Sequence, residues 1–472
     1  MLEGIDVYYL LEKGVQLRTW IATGGTFFKP GLDSPYPLAQ DDYALLKRCD
    51  GVTALPEPHQ GEQGKRLAHF ARAGLIRPCV CGEAPLEPFQ VLECNNRFFP
   101  RMYWEVTSRC PYNCLHCFNA SDEARSNEEF SLEESMRFLD EAASCGVRNW
   151  SLTGGDPLMH PHFREIITGI VQRGMIVKEV VTTGLLLDDD MLEFLRQTCP
   201  DVSLRLSFDG IGYHNWMRCS NGAQEAALAA IQRCVSHGFC THVNMNVNQK
   251  NKAAILPSIR LLDKMGVNRI RVIRTSESPR WAKLAGDASM SIESYYEFAL
   301  ELLEHIKREE FNAIERFDIW QFAGILPKEK IFKCFAAGCP EGKYRETYPV
   351  CKLWRARISV CASGQIRPCM PISGVLEKKG VHFGNVKTEA LEGMLREGSY
   401  LALATMTVGE RLRNNATCCA CEYKKRCVGG CPTLALLITD NLENPDPLKC
   451  VFFKQGYYQR LQEVMEGFGE VM

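Results

Sequence analysis

The sequence predicts an α/β protein with a parallel sheet, set between a small N-terminal domain and a cysteine-rich C-terminal one. Three observations carry this. Between about residues 100 and 275, short β-branched runs alternate with amphipathic helical ones, the pattern of parallel strands joined by helical crossovers. The chain has 472 residues, too many for one ordinary core. Its 23 cysteines are unevenly spread, with five between Cys334 and Cys369 and six between Cys418 and Cys450. A hydrophobic content of 46%, a charged content of 24% and a net charge of -2 describe a globular protein with no bias toward nucleic acid or an anionic membrane. No apolar run reaches membrane-spanning length, and Met1–Asp6 lacks the basic and apolar regions of a signal peptide, so a cytoplasmic location is expected. In that reducing compartment, cysteines act as metal ligands, catalytic groups or core thiols more often than as disulfides.

Taken in order, residues 1–95 read as a separate small domain. Strand-like runs occur at Val7–Leu10 and Leu17–Ala22, and helical patterns near Asp41–Arg48 and Gln63–Ala73, the second closing at Gly74. Cys79, Cys81 and Cys94 at its exit lack a fourth ligand nearby and read as core or solvent-facing thiols. Six strands are then expected at Met102–Val106, Trp150–Leu152, Val177–Thr182, Ser203–Phe208, His242–Val247 and Arg269–Ile273. The helices between them are expected near Leu132–Ser144, Phe163–Arg173, Met191–Arg196, Ala223–His237 and Ala253–Met265. Six units are too few for a full eight-unit barrel. Residues 276–333 read as a helical connector, strongest at Tyr295–Lys307. Residues 334–455 are rich in Cys, Gly and Pro with little periodicity, a composition that needs metal cross-links in place of a large core. Residues 456–472 read as a tail helix.

The first expected strand runs into Cys110-Pro-Tyr-Asn-Cys114-Leu-His-Cys117, three thiols within eight residues. Three thiolates bind three irons of a [4Fe-4S] cube and leave the fourth open for a non-protein ligand. A zinc site is the competing reading, but His116 sits poorly between the last two thiols to close a tetrahedron. The spacing resembles the signature of radical S-adenosylmethionine (SAM) enzymes, and further segments join the resemblance. Gly154-Gly155-Asp156-Pro157 corresponds to the family's Gly-Gly-Glu-Pro, which holds the SAM amino group, with Asp in place of Glu. Thr182-Thr183-Gly184 ends the third strand where the family often has Thr-Asn-Gly, and Ser207-Phe208-Asp209-Gly210 resembles its Ser-x-Asp-Gly. Thr183, Ser207, Arg218 and Asn246 become candidate SAM contacts, Ser207 for ribose or carboxylate, Arg218 for the carboxylate and Asn246 for ribose. The resemblance implies an open six-unit partial TIM barrel, with the cluster at the C-terminal strand ends. It also implies SAM cleavage to methionine and a 5′-deoxyadenosyl radical that takes hydrogen from an unactivated carbon.

Downstream, Cys418, Cys421, Cys427 and Cys431 are spaced by two, five and three residues, and Cys450 follows; Cys351, Gly364 and Cys369 precede them. This is similar to the seven-cysteine pattern of the SPASM domain, which carries auxiliary iron–sulfur clusters. The resemblance implies an outer cluster on Cys418, Cys421, Cys427 and Cys450. It implies an inner one on Cys351, Cys369 and Cys431, with Cys339, or less favourably Cys334, as fourth ligand; Cys361 and Cys419 fall outside the pattern. Tyr43–Gly51 and Ala73–Ile76 resemble the winged-helix peptide-recognition domains of peptide-modifying gene clusters, which bind a leader peptide along a sheet edge. Together these imply a maturase acting on a ribosomally made precursor peptide. It would install a thioether, a C–C or C–O cross-link or an epimerised residue, with a flavodoxin or ferredoxin as reductant. The alternatives are a formylglycine-forming sulfatase maturase, which the extra N-terminal domain disfavours, and a non-catalytic iron–sulfur or zinc protein. No catalytic acid or base is identifiable from the sequence.

Overall fold

A computed structural model of the chain describes residues 7–21, 23–31, 35–58, 60–117, 128–275, 278–339, 342–370 and 375–471. The expectations resting on Met1–Asp6, Ala22 and Pro340 fall outside them.

The central sheet is α/β and largely parallel. The six expected strands form at Arg101–Thr107, Asn149–Gly154, Ile176–Val181, Ser203–Ser207, Thr241–Val247 and Arg269–Arg274, neighbouring one another in chain order. Each pairs in parallel with the next. Helices at Leu132–Ser144, Phe163–Gln172, Asp189–Thr198, Ala223–Ser236 and Lys252–Lys264 cross over between them. Local sequence fixes the helix starts: Ser131 and Glu134 form a reciprocal capping box, and Asp188 accepts from the Met191 amide. Strand alternation sorts the side chains. Trp104, Trp150, Leu152, Val180, Leu204, Leu206, Met245 and Val272 are buried in one core shared with the helices. The intervening Tyr103, Glu105, Ser151, Thr153, Arg205, Ser207, Asn244, Asn246 and Arg271 line the opposite, polar face.

The sheet extends beyond six strands. Residues 276–333, expected to be helical, do contain helices at Pro279–Leu284 and Ile292–Arg308, but they also hold strands at Arg316–Ile319, Ala323–Leu326 and Ile331–Cys334. The first of these pairs in parallel with Arg269–Arg274 and the others antiparallel beyond it. These runs are only four residues long, and each draws its apolar face, as with Phe317 and Ile319, from positions that sequence periodicity alone leaves unassigned. On the other edge, Arg357–Val360 from the cysteine-rich region pairs in parallel with the first strand, Arg357 opposite Arg101 and Val360 opposite Trp104. The tail is a helix at Tyr457–Val464 followed by Gly469–Glu470, which pairs with Ile331–Phe332.

The N-terminal region has its own core, built on Tyr9, Leu17, Leu46, Leu67 and Ile76. Strands Tyr8–Leu11 and Ile76–Cys79 pair antiparallel, and a four-stranded sheet runs Tyr36–Pro37, Thr26–Phe28, Gln16–Thr19, Val91–Glu93. Helices Gln40–Lys47 and Gly61–Arg72 cover them, and Gly74 follows the second at φ +67°. This region docks on the barrel. Trp20 Nε1 and Asn96 Nδ2 donate to the Cys145 carbonyl at 2.9 and 3.1 Å, and Gln16 Nε2 donates to the Gly174 carbonyl at 2.6 Å. At Gly146, φ +76°, a Cβ would lie 2.7 Å from Trp20 Nε1, so the docking demands glycine there.

Candidate functional site

The cysteine loop leaves the carboxyl end of the first strand. Its entry is clamped: Arg109 pairs with Glu129 at 3.0 Å and donates to the Met159 carbonyl at 2.6 Å. Cys110, Cys114 and Cys117 pack with Tyr112 and Ala223 in one cluster, with Cys114 buried and the other two partly so. The loop rests on the short helix His214–Arg218. The Leu115 amide donates to the Met217 carbonyl at 3.0 Å, and Leu115 packs against Met217 and Trp281.

Gly154 and Gly155 each bring the second strand end into close approach with another segment. Their close approach is to the chain itself. A Cβ on Gly154 would lie 2.3 Å from the Thr107 carbonyl oxygen, and one on Gly155 would lie 2.2 Å from that of Arg109. The Gly155 and Asp156 amides donate to those same carbonyls at 2.9 and 2.7 Å. The second strand end thus locks the root of the cysteine loop. Gly155→Ala is expected to displace the loop and lower SAM cleavage by about a hundredfold, the usual consequence of misplacing reacting groups by about 1 Å. Its far-UV circular dichroism should stay unchanged. A variant that cleaves SAM at the wild-type rate would show that this approach does not position the loop.

Asp156 is fully buried and its carboxylate is occupied. Thr182 Oγ1 donates to both oxygens at 2.9 Å, the Thr183 amide and hydroxyl donate at 2.9 and 2.6 Å, and the Leu158 amide donates at 3.1 Å. The carboxylate thereby fastens the second strand end to the third and caps the turn Pro157–Met159. Thr183 belongs to this clasp.

The centre of the site is Asp209, fully buried after the fourth strand. Arg218 Nη2 pairs with its Oδ2 at 2.8 Å, and the Asn246 amide donates to its Oδ1 at 3.0 Å. Asn251 Nδ2 donates to its carbonyl at 2.8 Å. Burial alone would raise the Asp209 carboxyl; the Arg218 guanidinium, then His214 and His116, pull it far below the carboxylate range. Arg218 Nη1 meanwhile reaches Cys114 Sγ at 3.5 Å. Burial opposes the Arg218 charge, but Asp209 and Cys114 more than restore it. Asn246 Nδ2 lies 3.2 Å from His116 Nε2, inside the cysteine motif, and burial pushes that imidazole down to about 4, keeping it neutral. Of the sequence candidates, Cys110, Cys114, Cys117, Arg218 and Asn246 therefore share one neighbourhood. Ser207 stands partly buried at the fourth strand end, in register with Asn244. Asp209, the hub, lay inside a quoted motif but was not singled out; its flanking Gly210, at φ +104°, marked a turn there.

These residues fit an iron–sulfur cluster with SAM. The three thiols of the loop sit together, with the buried Arg218 guanidinium beside Cys114. Arg218 Nε and His116 Nδ1 are buried without a hydrogen-bond partner among the described residues, an arrangement a polar ligand satisfies. Among the described residues no three His, Cys, Asp or Glu side chains are placed to hold one metal ion. A cubane asks for something different, one thiolate per iron.

In the C-terminal region, Cys418, Cys421, Cys427 and Cys450 line one pocket of about 390 Å³ empty volume, with Lys449 and Lys454 also in its wall. Cys431 lies apart, within electrostatic reach of Cys369 and Cys351, and burial pushes its thiol up to about 12. Burial likewise raises Cys369, with Arg357 opposing and Cys351 adding. Cys339 is buried and its backbone is clasped to Arg426: its amide donates to the Arg426 carbonyl at 3.2 Å, and Arg426 Nη1 donates to its carbonyl at 2.8 Å. Cys334 is buried in its strand, its sulfur accepting from the Ala337 amide at 3.3 Å. Cys361 is buried and Cys419 exposed.

Residues 104–262 match the model of the radical SAM superfamily, so the chain carries a radical SAM domain around this site. Over 368 residues it is 25% identical to the PqqA peptide cyclase of Gluconobacter oxydans, which spans 77% of this chain and 92% of that protein. It is 26% identical over 357 residues to the AdoMet-dependent heme synthase of Methanosarcina barkeri, covering 75% of this chain and 97% of that one. The fold superposes on Streptococcus suis SuiB bound to its precursor peptide SuiA with a TM-score of 0.60 and 13% identity, over 94% of this chain and 99% of that one. No helix among the described residues is long and apolar enough to cross a membrane.

Proposed function

We propose that this chain, with its radical SAM domain, is a maturase of a ribosomally made peptide, acting in the cytoplasm. The observation that carries the reading is the juxtaposition of the Cys110–Cys117 loop with the buried Asp209–Arg218 pair at the mouth of a polar strand face. The fold shared with SuiB, which takes in 94% of this chain and so the N-terminal region, favours a peptide over a porphyrin. Cys110, Cys114 and Cys117 would hold a [4Fe-4S] cluster, which when reduced and with SAM bound supplies a 5′-deoxyadenosyl radical that takes hydrogen from the peptide. Arg218 rests against the Cys114 sulfur and offers Nε to an anionic group. Asp209 keeps Arg218 charged and in place, and Asn246 braces His116 against it. Gly154, Gly155 and Asp156 fix the loop root, and Ser207 and Thr183 border the mouth. The N-terminal sheet offers outer strands Tyr36–Pro37 and Val91–Glu93 to a leader peptide. The product is a cross-link or an epimerised residue, and a flavodoxin or ferredoxin supplies the electron.

The C-terminal cysteines would hold two auxiliary clusters, the outer on Cys418, Cys421, Cys427 and Cys450, the inner on Cys351, Cys369, Cys431 and Cys339. Cys339→Ala is expected to alter the inner cluster's electron paramagnetic resonance spectrum and block peptide product, while Cys334→Ala leaves both intact. An unchanged spectrum and normal turnover in Cys339→Ala would instead mean a three-ligand inner cluster.

The function itself is tested by anaerobic reconstitution with reductant, SAM and the peptide encoded by a short reading frame beside this gene. 5′-Deoxyadenosine should form together with a peptide about 2 Da lighter for a cross-link or of unchanged mass for an epimer. Deoxyadenosine without any change in peptide, by mass or by stereochemical analysis, would refute the substrate class. No deoxyadenosine would refute the activity.

A further inference from the structure

The polar face below the cysteine loop contains a second cluster of charge that the chemistry above does not use. A cavity of about 450 Å³ empty volume lies against strands four to seven, lined by Arg205, His242, Arg271 and Asp318, with Arg269 and Arg316 exposed at its rim. Its four guanidiniums face Asp318 in the wall and Glu179 beside it. Those two carboxylates are engaged. Arg205 takes Glu179 at 2.6 Å, and Arg316 Nε takes both oxygens of Asp318 at 3.0 and 3.2 Å. Arg271 meets Asp318 only at 3.6 Å, beyond a good hydrogen bond, while its guanidinium stacks over Trp320 at 5.4 Å. Burial and the facing Arg205 both work against the Arg271 charge. His242 adds no anion, being held below its ordinary value by burial and then by Arg205 and Arg269, against Glu179.

A half-buried excess of guanidinium costs free energy unless an anion completes it. We infer that this cavity binds a carboxylate of the substrate peptide, with Arg271 as its principal partner and Arg205 as the second. The position suits that role. Arg271 is in register with Asn244, two residues before Asn246 on the same strand, so its level lies about 7 Å beneath the site mouth at roughly 3.3 Å per residue. The planar fork of arginine suits a carboxylate bidentately. This rests on the peptide reading for its ligand, not for its charge.

Saturation-transfer NMR on the full chain, with SAM present, tests it using three pentapeptides. One is acetylated and amidated Gly-Gly-Glu-Gly-Gly, the second has Gln in place of Glu, and the third is the Gln peptide with a free C-terminal carboxylate. The Glu peptide should bind saturably, the amidated Gln peptide should not, and Arg271→Gln should weaken binding by about tenfold or more, the equivalent of one charge-assisted hydrogen bond. Binding of the third peptide in place of the first would assign the C-terminus as the carboxylate. Equal binding of all three to the wild type, or no binding by any, overturns the proposal without recourse to a variant. So does unchanged affinity in a folded Arg271→Gln. Carboxylate-dependent binding alongside a failure of every precursor peptide to be modified would leave this site standing and remove the maturase reading.

Discussion

Replacing Cys110, Cys114 and Cys117 together by Ala is expected to abolish 5′-deoxyadenosine formation while leaving iron in the protein. The loop packs its three thiols into one small cluster with Tyr112, and the other candidate iron ligands lie in a different part of the chain, four of them, Cys418, Cys421, Cys427 and Cys450, lining their own pocket. Loss of the first set therefore leaves the second free to load. The loop's anchorage is independent of the sulfurs, since Leu115 is held by the Met217 carbonyl and the root is held by Gly154 and Gly155. Folding should survive. Iron assay together with chromatography of the nucleoside product checks this, and persistent deoxyadenosine from the triple variant would remove the loop from the chemistry.

Asp209→Asn should be the most damaging single change outside the cysteines. The carboxylate is fully buried and compensates Arg218, itself buried against Cys114. Neutralising one member of a buried pair leaves the other uncompensated, typically at a cost of about 3–5 kcal/mol. That loss falls on the turn carrying the loop's support, so local opening is expected before global unfolding. Hydrogen exchange at residues 205–218 should quicken by at least about a hundredfold, the kinetic equivalent of that free energy, and SAM cleavage should fall with it. Arg218→Gln added to Asp209→Asn should restore protection without restoring cleavage, because it removes the stranded charge but not the need for it. Unaltered exchange in Asp209→Asn would show that the pair is not what holds the site together.

Much of this frame was legible in the sequence because local rules agreed with the fold. The strand from Arg101 to Thr107 alternates apolar and polar residues along its length, and the helix at Leu132–Ser144 carries its own capping box, so both could be placed from the residues alone. The cysteine loop was legible because thiol spacing is chemistry that tolerates little variation. What escaped was tertiary. The strands at Arg316–Ile319 and Ala323–Leu326 are too short to show a period, and only the waiting sheet edge makes them strands. Gly154 and Gly155 could be recognised as part of a motif, but not as an approach to Thr107 and Arg109. Asp209 draws its importance from Arg218, Asn246 and His116, which come from three other segments. No spacing rule brings those together.

The strand Arg357–Val360, which zips onto Arg101–Trp104, has a consequence for how the protein is made. The first barrel strand emerges from the ribosome long before its edge partner. At roughly 5–20 residues per second, tens of seconds of synthesis separate the two. Throughout that interval a nascent barrel presents an unpaired parallel edge, with Trp104 and Val106 on the sheet behind it, a template for wrong pairing. Closing it requires a contact of very long sequence separation, the slowest kind to form. Yield from a heterologous host should therefore respond to slower, cooler synthesis and to chaperones that shield open sheets. A translation product that stops before the last third would be held as an aggregation-prone intermediate.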